Sequence, residues 1–219
     1  MINSVLDSAR IAGVFATMLV LVACFGLGLQ YWLLIRSAAE PIRVTVNFFS
    51  YFTILTNLLA AIVLVVWLRS TRGTRLVELR SATAVYIAIV GIVYTLVLRE
   101  LWNPTGLQAV ADLLLHDVVP VAYVLYWFGF VEKGSLSFPV IARWLAYPLL
   151  FFAYSLGRGA ATGWYPYPFI DALRLGYGRV LLNAGSLVVG FVMLAAVFVA
   201  VDNALGGTLR RRPRMSPLP

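Results

Sequence analysis

The chain has 219 residues, 62% of them hydrophobic and 12% charged, with a mean hydropathy of +0.90 and a formal charge of +8. A soluble domain of this size cannot hide so much apolar surface in its own core. The charge does not mark a nucleic-acid binder, because the basic residues flank apolar runs and form no groove interleaved with stacking platforms.

Six apolar runs follow in order, at 11–35, 48–68, 81–98, 109–130, 138–156 and 180–201. Each holds about 18–25 residues, enough to cross a hydrocarbon core about 30 Å thick with some tilt. They lack the alternation of barrel strands. The expectation is an all-α integral membrane protein of six transmembrane helices with short loops. It forms a single transmembrane domain over 1–219, ending in an Arg/Pro-rich tail at 205–219.

The first run contains Leu21-Val22-Ala23-Cys24, which is similar to a lipoprotein processing box. The apolar stretch continues through Phe25 to Ile35, as a span does and a cleaved signal does not. Cys24 is the only cysteine, so an internal disulfide and a multi-cysteine metal site are excluded. Of the 17 basic residues, 11 lie in the amino terminus, the 69–80 loop, the 131–143 segment and the tail. The positive-inside bias then places both termini in the cytoplasm. One lysine against sixteen arginines points to a G+C-rich bacterial genome, hence a bacterial cytoplasmic (inner) membrane.

The second run opens with Ser50, Thr53 and Asn57 on one helical stripe and Thr56 beside it. At ~1.5 Å per residue, Thr53 lies about 8 Å and Thr56 about 12 Å below the outer end of that run. The only histidine, His116, lies about 10 Å below the outer end of run four by the same arithmetic, bracketed by Asp112 and Asp117. Ionisable side chains at membrane depth are costly and usually functional. The ordinary readings are threonines bonded to their own i−4 carbonyls and a histidine paired with Asp112 one turn away.

Pro120 and Pro148 withdraw the amides that would serve the carbonyls of His116 and Trp144, so both helices should kink. Free carbonyls at membrane depth are tolerated only beside other protein or a wet cavity. A small polar pocket opening outward is expected. The segment 157–171 mixes glycines with Trp164-Tyr165-Pro166-Tyr167-Pro168-Phe169. Aromatic residues belong at the headgroup level on general grounds. The functional alternative is a lid hinged at the glycines, with Arg158 placed to pair with a carboxylate or phosphate headgroup.

Three segments, in this order, resemble one family: Tyr51-Phe52-Thr53, His116 followed by a proline, and Trp164 with Tyr167-Pro168-Phe169. They are similar to segments of the androgen-induced and androgen-dependent membrane hydrolases, multispan enzymes that cleave fatty acid esters of hydroxy fatty acids. The chain looks like a bacterial six-helix relative. The resemblance implies Thr53 as nucleophile and His116 as base. It departs at Thr56, where an acidic residue would be expected, at Asp117 directly after the histidine, and in a proline spacing shifted by one.

The chemistry is self-consistent. A hydroxyl nucleophile needs a neighbouring base. Asp112 would fix the tautomer of His116 and steady its imidazolium, and Asn57 or Ser50 would donate to an oxyanion. The partner is a lipid substrate entering from the membrane; no cofactor, metal or nucleic acid is expected, and the sequence names no protein partner. Two alternatives stand: a small-solute or proton-coupled transporter relaying protons through Asp and His, in a chain without an internal repeat, and a non-catalytic lipid-binding protein whose arginine-rich tail attracts anionic lipid.

Overall fold

A computed structural model describes residues 2–69 and 74–211, with side chains over 7–69 and 75–207. Arg72, the side chains of Arg210 and Arg211, and the tail beyond 211 lie outside the described residues. The elements are α1 (Ile2–Ile35), α2 (Pro41–Phe48), α3 (Phe52–Arg69), α4 (Thr74–Val93), α5 (Gly106–Leu113), α6 (Val119–Phe130), α7 (Val140–Trp144), α8 (Ala146–Thr162) and α9 (Ala172–Arg211). No strand occurs among the described residues.

Six helical stretches are long and apolar enough to cross a membrane: Asp7–Ile35, Phe52–Arg69, Arg75–Leu101, Gly106–Phe130, Val140–Thr162 and Ala172–Gly207. The protein is an all-α integral membrane protein with six transmembrane helices. In hydrocarbon every backbone amide and carbonyl must be satisfied within the segment, which is why each apolar run becomes a helix. An even number of crossings leaves both ends of the chain on one side.

Helix α3 packs between α1 and α4, and α4 packs in turn on α6. Small buried residues, Ala16 and Ala23 of α1, Ala60 and Ala61 of α3 and Ala84 of α4, let the helices approach closely. Leu64, Val85, Val119, Tyr123 and Trp127 fill the centre, while Val14, Met18, Leu21 and Phe25 of α1 face outward. Helix α1 runs unbroken through Cys24, which is exposed on its surface.

Several helices run beyond the expected bounds, and three boundaries bear on the site and its surroundings. The second span starts at Phe52, because Asn47 and Phe48 belong to α2, a separate helix with Pro41 in its first turn. Ser50 therefore sits in the turn before α3 and shares no helical stripe with Thr53. Thr53 lies in the first turn of its helix, not about 8 Å down it. Helix α8 continues to Thr162, so Gly157, Arg158 and Gly159 are helical and the supposed hinge shrinks to Gly163. Gly163 adopts φ 71° and its N–H bonds the Gly159 carbonyl at 2.8 Å, a left-handed helix stop that glycine allows. Gly159 is required for a different reason: a Cβ there would sit 2.1 Å from the Tyr165 ring. Finally, α9 begins at Ala172 instead of 180 and bends at Gly176.

The end of the bundle that carries the termini is held by polar contacts. The Arg80 side chain, 1% exposed, donates to Tyr126 at 3.1 Å and to Glu132, and lies over the Trp67 ring. Asp202 of α9 accepts the N–H groups of Gly134, Ser135 and Leu136 at 2.9, 3.0 and 2.9 Å. Lys133 donates to the carbonyls of Trp127 and Val131, ending α6.

Candidate functional site

The site lies at the opposite end and is built on two irregular helical turns. Beyond Val93, α4 widens into a π turn, Tyr94–Leu98, and then tightens over Arg99–Leu101. Between α5 and α6 a second π turn spans Leu114–Val118. Such bulges insert one extra residue per turn and recur at functional sites. These two meet: the Tyr94 and His116 rings stack with centroids 3.9 Å apart and planes 15° from parallel.

Asp112 joins the pair. The Tyr94 hydroxyl donates to its Oδ2, and His116 Nδ1 lies 3.1 Å from its Oδ1 and 3.1 Å from its carbonyl. A proton on Nδ1 satisfies both oxygens and leaves Nε2 as an acceptor. Among the described residues Nε2 has no hydrogen-bond partner. Asp117 points elsewhere: Arg99 meets it at 2.5 Å and lies 4.9 Å from the Tyr94 ring centroid.

The π turn also changes which carbonyl Pro120 frees. Val119 N–H bonds back to Leu114, five residues away, so position 120 would have served Leu115 rather than His116. Asn57 fills that vacancy, donating from Nδ2 to the Leu115 carbonyl at 3.2 Å and to the Thr53 carbonyl at 2.9 Å. At Pro148 the freed carbonyl is that of Trp144, as the sequence implied, and the Tyr86 hydroxyl donates to it at 2.8 Å.

Thr53, in the first turn of α3, has an N–H with no helical acceptor. That N–H points to the Tyr167 hydroxyl at 3.3 Å, and the same hydroxyl lies 3.5 Å from Thr53 Oγ1. Tyr167 stacks on Phe169 and meets Tyr51 edge-on. Burial pushes its phenol up to about 12, the bonds to Thr53 offsetting only part of this, so it keeps its proton at neutral pH.

Thr53 and His116 line one cavity of about 420 Å³, together with Tyr51, Tyr94, Asp112 and Tyr167. No hydrogen bond joins Thr53 to His116 among the described residues. A second cavity of about 300 Å³ lies between α3, α4, α8 and α9 and is lined by residues such as Val90, Phe152, Leu181 and Phe191. Thr53, Tyr94, Leu98 and Tyr167 line both. They form the wall between the two.

The remaining residues singled out in the sequence fall outside this wall. Thr56 is fully buried and bonded to the Tyr147 hydroxyl at 3.0 Å. Ser50 donates to the Val46 carbonyl at 2.6 Å and pairs with Tyr154 at 2.7 Å. With Asn57 committed to two carbonyls, neither expected oxyanion donor faces the cavity. Arg158 bonds Asn47 at 2.5 Å and lies over Trp164, which packs against Tyr51. Pro168 lines the larger cavity and Phe169 the apolar one.

Sequence reasoning missed Tyr94, the direct contact of Tyr167 with Thr53, and the pair Gln30–Gln108, whose amides bond at 2.6 Å on the larger cavity. The glutamines carried a usable signal, being uncharged polar groups at the edges of apolar runs. Among the described residues no three His, Cys, Asp or Glu side chains cluster as metal ligands would.

Fold and site define a six-helix integral membrane protein with a polar cavity near one end of the bundle. No protein family, curated protein or solved structure matches the chain.

Proposed function

We propose that the protein is a threonine-dependent hydrolase of fatty acyl esters, resident in a bacterial cytoplasmic (inner) membrane with both termini in the cytoplasm. One observation carries the reading: Thr53 stands on the wall between an apolar cavity and the cavity that holds the Asp112–His116 pair. The resemblance to the androgen-induced hydrolases supports it from the sequence side.

In this reading the Thr53 hydroxyl attacks the acyl carbonyl, and its proton passes to His116 Nε2, directly or through one water. Asp112, fixed by Tyr94, holds the imidazole and balances its charge. The developing oxyanion is met by the Thr53 N–H and the Tyr167 hydroxyl, in place of Asn57 or Ser50. The tetrahedral intermediate collapses, His116 returns the proton to the departing alcohol, and a threonyl ester remains. Water then attacks that ester, giving its proton to His116, and a fatty acid leaves as Thr53 regains its hydrogen.

The test uses purified protein in detergent, a fluorophosphonate probe and a branched fatty acid ester. Wild type should be labelled and should turn over. Thr53→Ala and His116→Ala should each abolish both, while Thr56→Ala should leave turnover per folded molecule within a few fold. Folded wild type that neither labels nor hydrolyses sinks the reading; proton-coupled transport through the Asp112–His116–Tyr94 network is then the reading to assay.

A further inference from the structure

We infer that the ester accepted here is uncharged: its acyl chain lies in the apolar cavity, and a hydroxyl-bearing alcohol, of the kind found in glycerides, lies in the cavity of His116. The inference rests on the hydrolase reading and narrows its substrate class. Thr53 on the shared wall fixes where the reacting carbonyl must be, so one half of the ester extends to each side. In the apolar cavity the hydroxyl-bearing residues are Thr53, Tyr94 and Tyr167, all on that wall. Hydrocarbon suits everything beyond it.

The other side is chemically different. Gln30 and Gln108 spend one donor and one acceptor on each other, leaving further amide hydrogens and a carbonyl oxygen for a ligand. A hydroxyl, which both donates and accepts, matches that set. Asp112 is the carboxylate among the residues that line this cavity. Among the described residues no Arg or Lys lines this cavity. Of the cations nearby, Arg99 meets Asp117, Arg43 meets Glu40 at 2.9 Å, Arg36 lies over Trp32, and Arg158, which bonds Asn47 and lies over Trp164, keeps a buried Nη1 without a hydrogen-bond partner; none of the four lines the cavity. A phosphate or carboxylate on the alcohol half would face Asp112 with no cation among the lining residues to receive it. The chain thus departs from the resemblance, whose hydroxy fatty acid esters carry a carboxylate on that half.

The experiment compares two esters of one acyl chain, palmitoyl glycerol and a palmitoyl hydroxy fatty acid, with the full chain in uncharged detergent. We expect kcat/KM at least tenfold higher for the glyceride. Gln30→Arg, and separately Gln108→Arg, should narrow that ratio by threefold or more, each variant first shown by its unfolding midpoint to be folded. Equal or faster cleavage of the acidic ester by wild type overturns the inference and leaves the hydrolase reading standing. A ratio unmoved by either added arginine also overturns it. Cleavage of neither ester, with no probe labelling of Thr53, overturns both.

Discussion

Tyr167 is the side chain on which the proposed chemistry depends most after Thr53 and His116. Its hydroxyl lies between the Thr53 amide and hydroxyl, and at about 12 its ionisation is too high to cost it the proton at neutral pH. Removing one oxyanion donor typically lowers kcat by about 10²–10³. Tyr167→Phe should therefore lose about a hundredfold in kcat with little change in KM, measured on the same ester as wild type. Thr56 is a different case, since its loss would remove the partner of a half-buried Tyr147 hydroxyl at a cost of about 1 kcal/mol in stability. At this scale the sequence was legible where polarity contrasts with its surroundings: a lone histidine, an aspartate four residues before it, a threonine. It was not legible at Tyr94, because a tyrosine in a span reads as an ordinary interfacial anchor. Nor was it legible at the Leu115 carbonyl, because a π turn has no composition signature and shifts the hydrogen-bond register by one.

At the scale of elements, the span count and order follow from hydropathy alone, whereas the ends of the helices depend on contacts distant in sequence. Gly157 and Gly159 look like a hinge until the Tyr165 ring is seen packed against α8 at Gly159. A methyl group there would collide with that ring and move the whole 163–171 segment. Gly159→Ala should thus destabilise the fold by about 1–3 kcal/mol, an overpacking cost. It should also reduce turnover, because Tyr167 shares the displaced segment. Loss of stability with full turnover would mean that the segment positions nothing. The break between α2 and α3 was likewise invisible in an apolar run that continues across it, yet it leaves the Thr53 N–H without a helical acceptor.

For the whole molecule, the end bearing the termini can be perturbed without touching the cavities. Burial holds the Lys133 ammonium down to about 8 from its ordinary 10.5, against the pull of Asp202. Below about pH 8 both folded and unfolded chains carry the proton and the burial penalty is fully present. Between about 8 and 10.5 the folded chain releases it while the unfolded chain keeps it, so stability rises with pH. The unfolding midpoint in detergent should climb across that window, and Lys133→Met should flatten the climb. A midpoint that climbs there as steeply in the variant as in wild type would assign the effect to other groups.

The three amides that converge on Asp202 also bear on how the chain is made. Gly134, Ser135 and Leu136 leave the ribosome about seventy residues before the carboxylate that receives them. Through most of synthesis that turn has only water or lipid headgroups to bond. Insertion of the final helix supplies the missing acceptor, and Gly206 then closes against Gly134 with no room for a side chain on either. Assembly is thereby completed from the last span backward. A nascent chain stopped before residue 202 should remain sensitive to membrane proteases, and co-expressing the missing helix as a separate peptide should protect it.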